Sequence, residues 1–113
     1  MASRDYFKNK RVAVIGLGHN GEMVEDVKFL IKAGALVSVY DLKSEARLKN
    51  HLVFLRTIGL ANYVCSSIPA DDLLDMDIIV LSHEYDRDAS FLLPIINSEK
   101  KIMIEYPETL FFR

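Results

Sequence analysis

Two features of the 113-residue sequence have residue types and spacing suited to chemistry: the run Gly16-Leu17-Gly18-His19-Asn20-Gly21 and the acid Asp41, twenty positions past its last glycine. The run has the G-x-G-x-x-G spacing that cradles a diphosphate, and an acid about 20 residues further on is where such folds meet a nucleotide's ribose. Gly16 permits a tight turn, Gly18 lets the backbone approach a diphosphate with no Cβ in the way, and Gly21 lets the next helix pack close to the strand. That helix aims free N–H groups and the positive end of its dipole at an anion. Glu22 places a negative charge beside the same position. The glycines also match the outer spacing of an ATP-hydrolysing phosphate loop, but Glu22 and Met23 stand where that motif needs Lys and Ser or Thr, so that reading is excluded.

Other candidates carry less. His19 has the chemistry to donate to a phosphate from the loop. His83, Glu84, Asp86 and Asp88 form an acidic loop whose spacing fits no metal-ligand pattern. Asp71, Asp72, Asp75 and Asp77 read as a solvated turn leading into a strand, and His51 reads as a surface residue of a helix. Cys65 reads as a small buried hydrophobe, with no histidine placed by the sequence to activate it. No set of acid, base and nucleophile can be assembled.

The elements that must position the loop follow from periodicity. Arg11 to Ile15 and Asp77 to Ser82 are continuous apolar runs, as in strands covered on both faces. Leu36 to Tyr40, Tyr63 to Cys65 and Lys101 to Glu105 supply three more strands. Met23, Val24, Val27, Leu30 and Ile31 have helical spacing, with Glu22, Glu25 and Asp26 in first turns where the dipole favours acids and Gly34 as the stop. Ser44 caps a second helix with apolar Leu48, Leu52 and Leu55, ended by Gly59. A helical turn at Asp71 to Leu74 and a helix at Phe91 to Ile96, with Pro94 near its first turn, complete the set. Strands alternating with helices predict an α/β, three-layer Rossmann-like fold: a five-stranded, mainly parallel sheet in the order 3-2-1-4-5 with helices on both faces. In that order the glycine loop, Asp41 and the loop from Ser82 converge at one sheet edge.

Composition bounds the rest. Half the residues are hydrophobic, enough for one core, so residues 1–113 read as a single domain with a lead segment at 1–10 and an exit at 106–113. Fourteen basic and sixteen acidic residues give a net charge of −2 with no basic block, so neither nucleic acid nor an anionic membrane is an expected partner. A single cysteine excludes an internal disulfide, and Met1-Ala2-Ser3-Arg4-Asp5 leads into no apolar signal region. The chain reads as cytoplasmic. The closing Leu110-Phe111-Phe112 is apolar enough to suggest that more protein follows to cover it.

The order of pieces resembles the N-terminal domain of the bacterial Mur ligases, most closely the MurD type. The residues that carry the resemblance are Tyr6 to Lys10, Val12 to Gly21, Phe29 to Asp41, Leu55 to Ser82 and Leu110 to Arg113. The family joins D-glutamate to UDP-N-acetylmuramoyl-L-alanine, and its N-terminal domain holds the UDP part of that sugar-nucleotide. The resemblance implies that Gly16, Leu17, Gly18, His19, Asn20 and Gly21 cradle the diphosphate and that Asp41, Leu42 and Lys43 frame the uracil, with Ser82 at the ligand edge. It implies no catalytic residue, metal or cofactor in this domain, and packing against a central domain that binds ATP and magnesium. Where the family carries Ser-Pro-Gly after the fourth strand, this sequence has Ser82-His83-Glu84, and its exit reads Glu105-Tyr106-Pro107-Glu108. Two other readings stand beside this one. Asp41 suits an NAD(H)-binding domain of a dehydrogenase or sensor, and Glu22 and Glu84 suit a Rossmann module that binds no nucleotide.

Overall fold

A strand that is apolar at every position needs cover on both faces, and two such strands side by side make the middle of a parallel sheet. The computed structural model, which describes residues 4–111, has that arrangement. Strand β1 (Arg11–Ile15) lies between β2 (Leu36–Asp41) and β4 (Ile78–Leu81), with β3 (Asn62–Cys65) and β5 (Met103–Glu105) at the edges. The order is 3-2-1-4-5 and all four pairings are parallel, as the sequence predicts.

The two-residue period of the strands divides the core in two. Val12, Val14, Val37, Val39, Ile78 and Val80 face one layer, formed by α2 (Val24–Lys32) and α3 (Glu45–Thr57). Ala13, Ile15, Tyr40, Ile79 and Leu81 face the other, formed by α4 (Ala70–Leu73) and α5 (Leu93–Ile96). A 3-10 turn over Ser90–Leu92 leads into α5, so Pro94 sits in the first helical turn. Ser44 caps α3 by accepting a hydrogen bond from the Arg47 N–H at 3.3 Å.

Three expectations change. The lead and the exit are both helical: α1 (Arg4–Phe7) and α6 (Pro107–Phe111), the latter opening on a proline whose missing N–H is no loss at that position. Leu110 and Phe111 are buried against Phe7 and Phe29, with Phe7–Phe111 ring centroids 5.8 Å apart and Phe29–Phe111 5.4 Å apart. These two apolar residues therefore find cover inside the domain; Phe112 and Arg113 lie outside the described residues. The acidic stretch before β4 is not simply a solvated turn. Asp77 accepts the Arg11 N–H at 2.8 Å and pairs with the Arg11 side chain, which fastens the start of β1 to β4, while Asp72 accepts from the Tyr40 hydroxyl at 3.4 Å.

Asp26 also departs from its expected role. It lies in the first turn of α2, where the dipole should favour the charged form, yet its pKa is raised to about 6. Burial is the main cause, and Glu108 and Glu25 add like-charge repulsion. Because the folded-state pKa lies above the unfolded one, the ionised carboxylate costs stability; the cost begins as pH rises past the ordinary value and is complete above about 6. Asp26→Asn should stabilise the fold at neutral pH by about 1 kcal/mol, allowing for solvent screening of a half-exposed group. Urea unfolding at about pH 7.5 and about pH 4 checks this, since the gain should vanish at the lower pH.

Candidate functional site

The carboxyl ends of β1, β2 and β4 meet at the point where chain order reverses, the usual place for a crevice in an open parallel sheet. The first βα turn leaves β1 here. Gly16 has φ +83° and Gly18 φ +91°, a left-handed conformation that side chains resist, so glycine is required by the backbone alone. Space adds a second requirement at Gly16. A Cβ there would fall 2.6 Å from Ser82 Oγ and 2.9 Å from Glu84 Oε1, so the loop after β4 rests directly on it. At Gly21 the close neighbour is the ring of His51 on α3, 2.5 Å from where a Cβ would lie. The role expected for Gly21 thus shifts from helix–strand approach to contact with α3, and His51 is a packing residue of the loop.

Asp41 is fully buried at the end of β2. Its Oδ2 accepts the Leu17 N–H at 2.9 Å and its Oδ1 the Lys43 N–H at 2.8 Å, with Lys43 Nζ 3.3 Å from Oδ1. One carboxylate therefore ties the glycine loop to the β2 exit. Leu17 itself faces the core, and its contribution to the loop is its backbone.

A second carboxylate stands across the crevice. Glu84 Oε1 accepts the Gly18 N–H at 2.9 Å and lies 3.3 Å from Ser82 Oγ; Glu84 Oε2 is hydrogen-bonded to Lys43 Nζ and lies 3.7 Å from His19 Nδ1. The Glu84 and Lys43 side chains are only 11% and 12% exposed. Burial alone would raise the Glu84 pKa, but Lys43, the Gly18 amide and the Ser82 hydroxyl outweigh it and hold the group below the usual carboxylate range. On Lys43, burial pulls the pKa down and is outweighed by Glu84 and Asp41, so it is raised. Both partners are charged, and the crevice contains a bound anion of the protein's own making.

Of the residues singled out from sequence, Gly16, Gly18, Asp41, Lys43 and Ser82 come together here. His19 and Leu42 stand at the rim, 79% and 51% exposed. Asn20 is exposed, and its N–H is taken by Glu22 Oε1 at 3.2 Å, so the Glu22 carboxylate folds back over the loop beside Gly18. A cleft of about 300 Å³ lies between Gly18, His19, Glu22 and Met23 on one wall and Ser82, His83 and Glu84 on the other. The rest of the acidic loop turns elsewhere. His83 stacks on Tyr106 with centroids 4.6 Å apart and pairs with Glu108 at 2.7 Å, and Arg87 reaches Glu105 at 3.3 Å. Cys65 is half-buried, and burial, then Glu45 and Asp41, push its thiol up, away from a nucleophile's range. Sequence reasoning left Glu84 without a partner; the signal that could have found it is its place two residues past a switch-point strand.

An open parallel sheet with a glycine turn under its switch point defines a Rossmann-like domain. Three curated relatives are UDP-N-acetylmuramoylalanine–D-glutamate ligases. That of Clostridioides difficile is 36% identical over 87% of this chain and 21% of its own length, and that of Borreliella afzelii 39% over 67% and 17%. That of Clostridium tetani is 30% identical over 96% of this chain and 24% of its own length. The chain belongs with the Rossmann-like N-terminal domain of the MurD-type Mur ligases, as a divergent form of it. It spans about a fifth of the length of the curated relatives it matches. No family model matches it. Among solved structures, a transhydrogenase from Sinorhizobium meliloti aligns at 22% identity and a TM-score of 0.48, over 66% of this chain and 20% of that one. No helix among the described residues is long and apolar enough to cross a membrane.

The Asp41 tie makes a direct prediction. Asp41→Ala leaves the buried Leu17 N–H without an acceptor and removes one of two anions from Lys43, and should cost about 3 kcal/mol in denaturant unfolding. Asp41→Asn, which keeps an acceptor, should cost about half as much. Equal stability of both variants to the parent would show that the tie contributes nothing.

Proposed function

We propose that this chain is the sugar-nucleotide-binding part of a MurD-type ligase and holds the UDP portion of UDP-N-acetylmuramoyl-L-alanine. The observation that carries the reading is the convergence of the Gly18 N–H, the Lys43 ammonium and the Ser82 hydroxyl on one point of the crevice, where they already hold an anion. Those are the donors a diphosphate needs, and they sit beneath the switch point where a nucleotide enters such a sheet. Leu42, exposed beside Asp41 and Lys43, offers an apolar surface to a base.

The domain's work is positioning. ATP and magnesium belong to the ligase as a whole; Glu22 and Met23 replace the residues an ATP loop requires, and no group of three metal-ligating side chains is assembled among the described residues. In the whole enzyme, ATP would phosphorylate the substrate carboxylate and the amine of the incoming amino acid would displace the phosphate. This domain supplies only a fixed sugar-nucleotide for that exchange, packed against the ATP-binding domain in the cytoplasm.

Thermal unfolding with added ligand tests the reading, since a ligand that binds only the folded state raises the midpoint. UDP-N-acetylmuramoyl-L-alanine should raise it and NADH should not. Lys43→Met should weaken the sugar-nucleotide effect at least tenfold (~1.4 kcal/mol) by removing the ammonium from the cradle. Stabilisation by NADH alone would replace this reading with the dinucleotide one, for which the buried and fully engaged Asp41 is poorly placed.

A further inference from the structure

We infer that Glu84 is a specificity-determining residue that occupies the diphosphate position of the glycine loop as an internal anion, so that any phosphate-bearing ligand must displace it to bind. This rests on the reading of the crevice as an anion site, and it adds that the site is filled from within.

The geometry supports it at each contact. The two oxygens of one carboxylate divide the cradle's donors as two phosphate oxygens would: Oε1 takes the Gly18 amide at 2.9 Å and the Ser82 hydroxyl at 3.3 Å, while Oε2 takes Lys43 and faces His19 at 3.7 Å. Gly18 offers its N–H to a ligand at this turn, and the Glu84 carboxylate has taken that donor, while the Glu22 carboxylate fills the space beside its Cα. The backbone that delivers Glu84 is fastened. The Tyr85 N–H donates to the Ser82 carbonyl at 3.1 Å, the Tyr106 hydroxyl donates to the Tyr85 carbonyl at 3.1 Å, and Tyr85 packs edge-on against Phe91 at 5.5 Å. The hydrogen bonds that fasten the turn are made by Ser82, Tyr85 and Tyr106, so displacing the Glu84 carboxylate breaks its own contacts to Gly18, Lys43 and Ser82 and leaves those in place.

The energetics set the expected size. Binding a diphosphate exchanges one anion for another on the same amide and ammonium, so most of the attraction that drives phosphate binding is already satisfied before the ligand arrives. If the carboxylate stays nearby after moving out, it also repels the incoming charge, as Glu22 does from the other side of Gly18. Removing the charge at residue 84 should therefore tighten binding, whereas removal of an ordinary cradle residue loosens it.

The full chain is titrated with UDP and, separately, with inorganic pyrophosphate, as parent, Glu84→Gln and Glu84→Ala, followed by thermal shift and by the amide resonance of Gly18. Circular dichroism confirms folding, and Glu84→Gln, which keeps the side chain's shape, stands in if the alanine variant is unstable. Both variants should bind UDP and pyrophosphate at least tenfold more tightly than the parent. The Gly18 resonance, displaced by loss of the carboxylate, should move back when pyrophosphate is added to Glu84→Ala. Tighter pyrophosphate binding with no preference for UDP would support the internal anion and overturn the uridine reading. Equal affinities in parent and variants, with UDP bound, would overturn the internal anion and leave the uridine reading standing. If the variants bind neither compound, Glu84 does not stand in a ligand's place.

Discussion

The buried carboxylate of Asp41 is the constraint on which the crevice depends. A turn of three glycine-spaced residues has little intrinsic order, because glycine leaves the chain more conformations to lose on folding than any other residue. Asp41 reduces that freedom by holding the Leu17 amide from the neighbouring strand's end, and it holds Lys43 by both its amide and its ammonium. The loop's shape and the position of the Lys43 ammonium are thus set by the same group. Its burial is tolerable because every oxygen is engaged, the condition under which a charged group can leave water.

That arrangement creates three charges in a confined space: Asp41 and Glu84 on either side of Lys43. A lone ammonium between two carboxylates leaves one negative charge, and the Gly18 and Ser82 donors absorb it. The crevice is therefore electrostatically complete in the free protein. In the Rossmann pattern, the corresponding corner is left with unsatisfied amides that await an anion. One departure from the MurD-type pattern that the resemblance marks falls at that corner, where Ser-Pro-Gly is replaced by Ser82-His83-Glu84.

Most of the fold was readable because it depends on local rules. Continuous apolar runs gave the central strands, the i, i+4, i+7 leucines and the Ser44 cap gave α3, and chain order with right-handed crossovers gave the sheet. What escaped depends on contacts distant in sequence. Nothing near Glu84 says that it will meet Gly18, sixty-six residues earlier. His51, on a helix between Asn50 and Leu52, reads as a surface residue, yet it packs against Gly21. Asp26 obeys the helix-dipole rule in sequence, but burial beside Glu108 reverses the outcome. The helical lead and exit were missed for a related reason: four- and five-residue helices are too short to show a period and are fixed by their aromatic contacts.

The aromatic cluster of Phe7, Phe29 and Phe111 joins the first and last helices of the described chain through one contact layer. During synthesis the N-terminal strands and α2 emerge long before the residues that complete this layer. Until Phe111 is in place, Phe7 and Phe29 have each other as ring partners and lack the third ring of the layer. Closure of the domain is therefore a late, long-range event, of the kind that slows folding and leaves the nascent chain dependent on protection from other apolar surfaces.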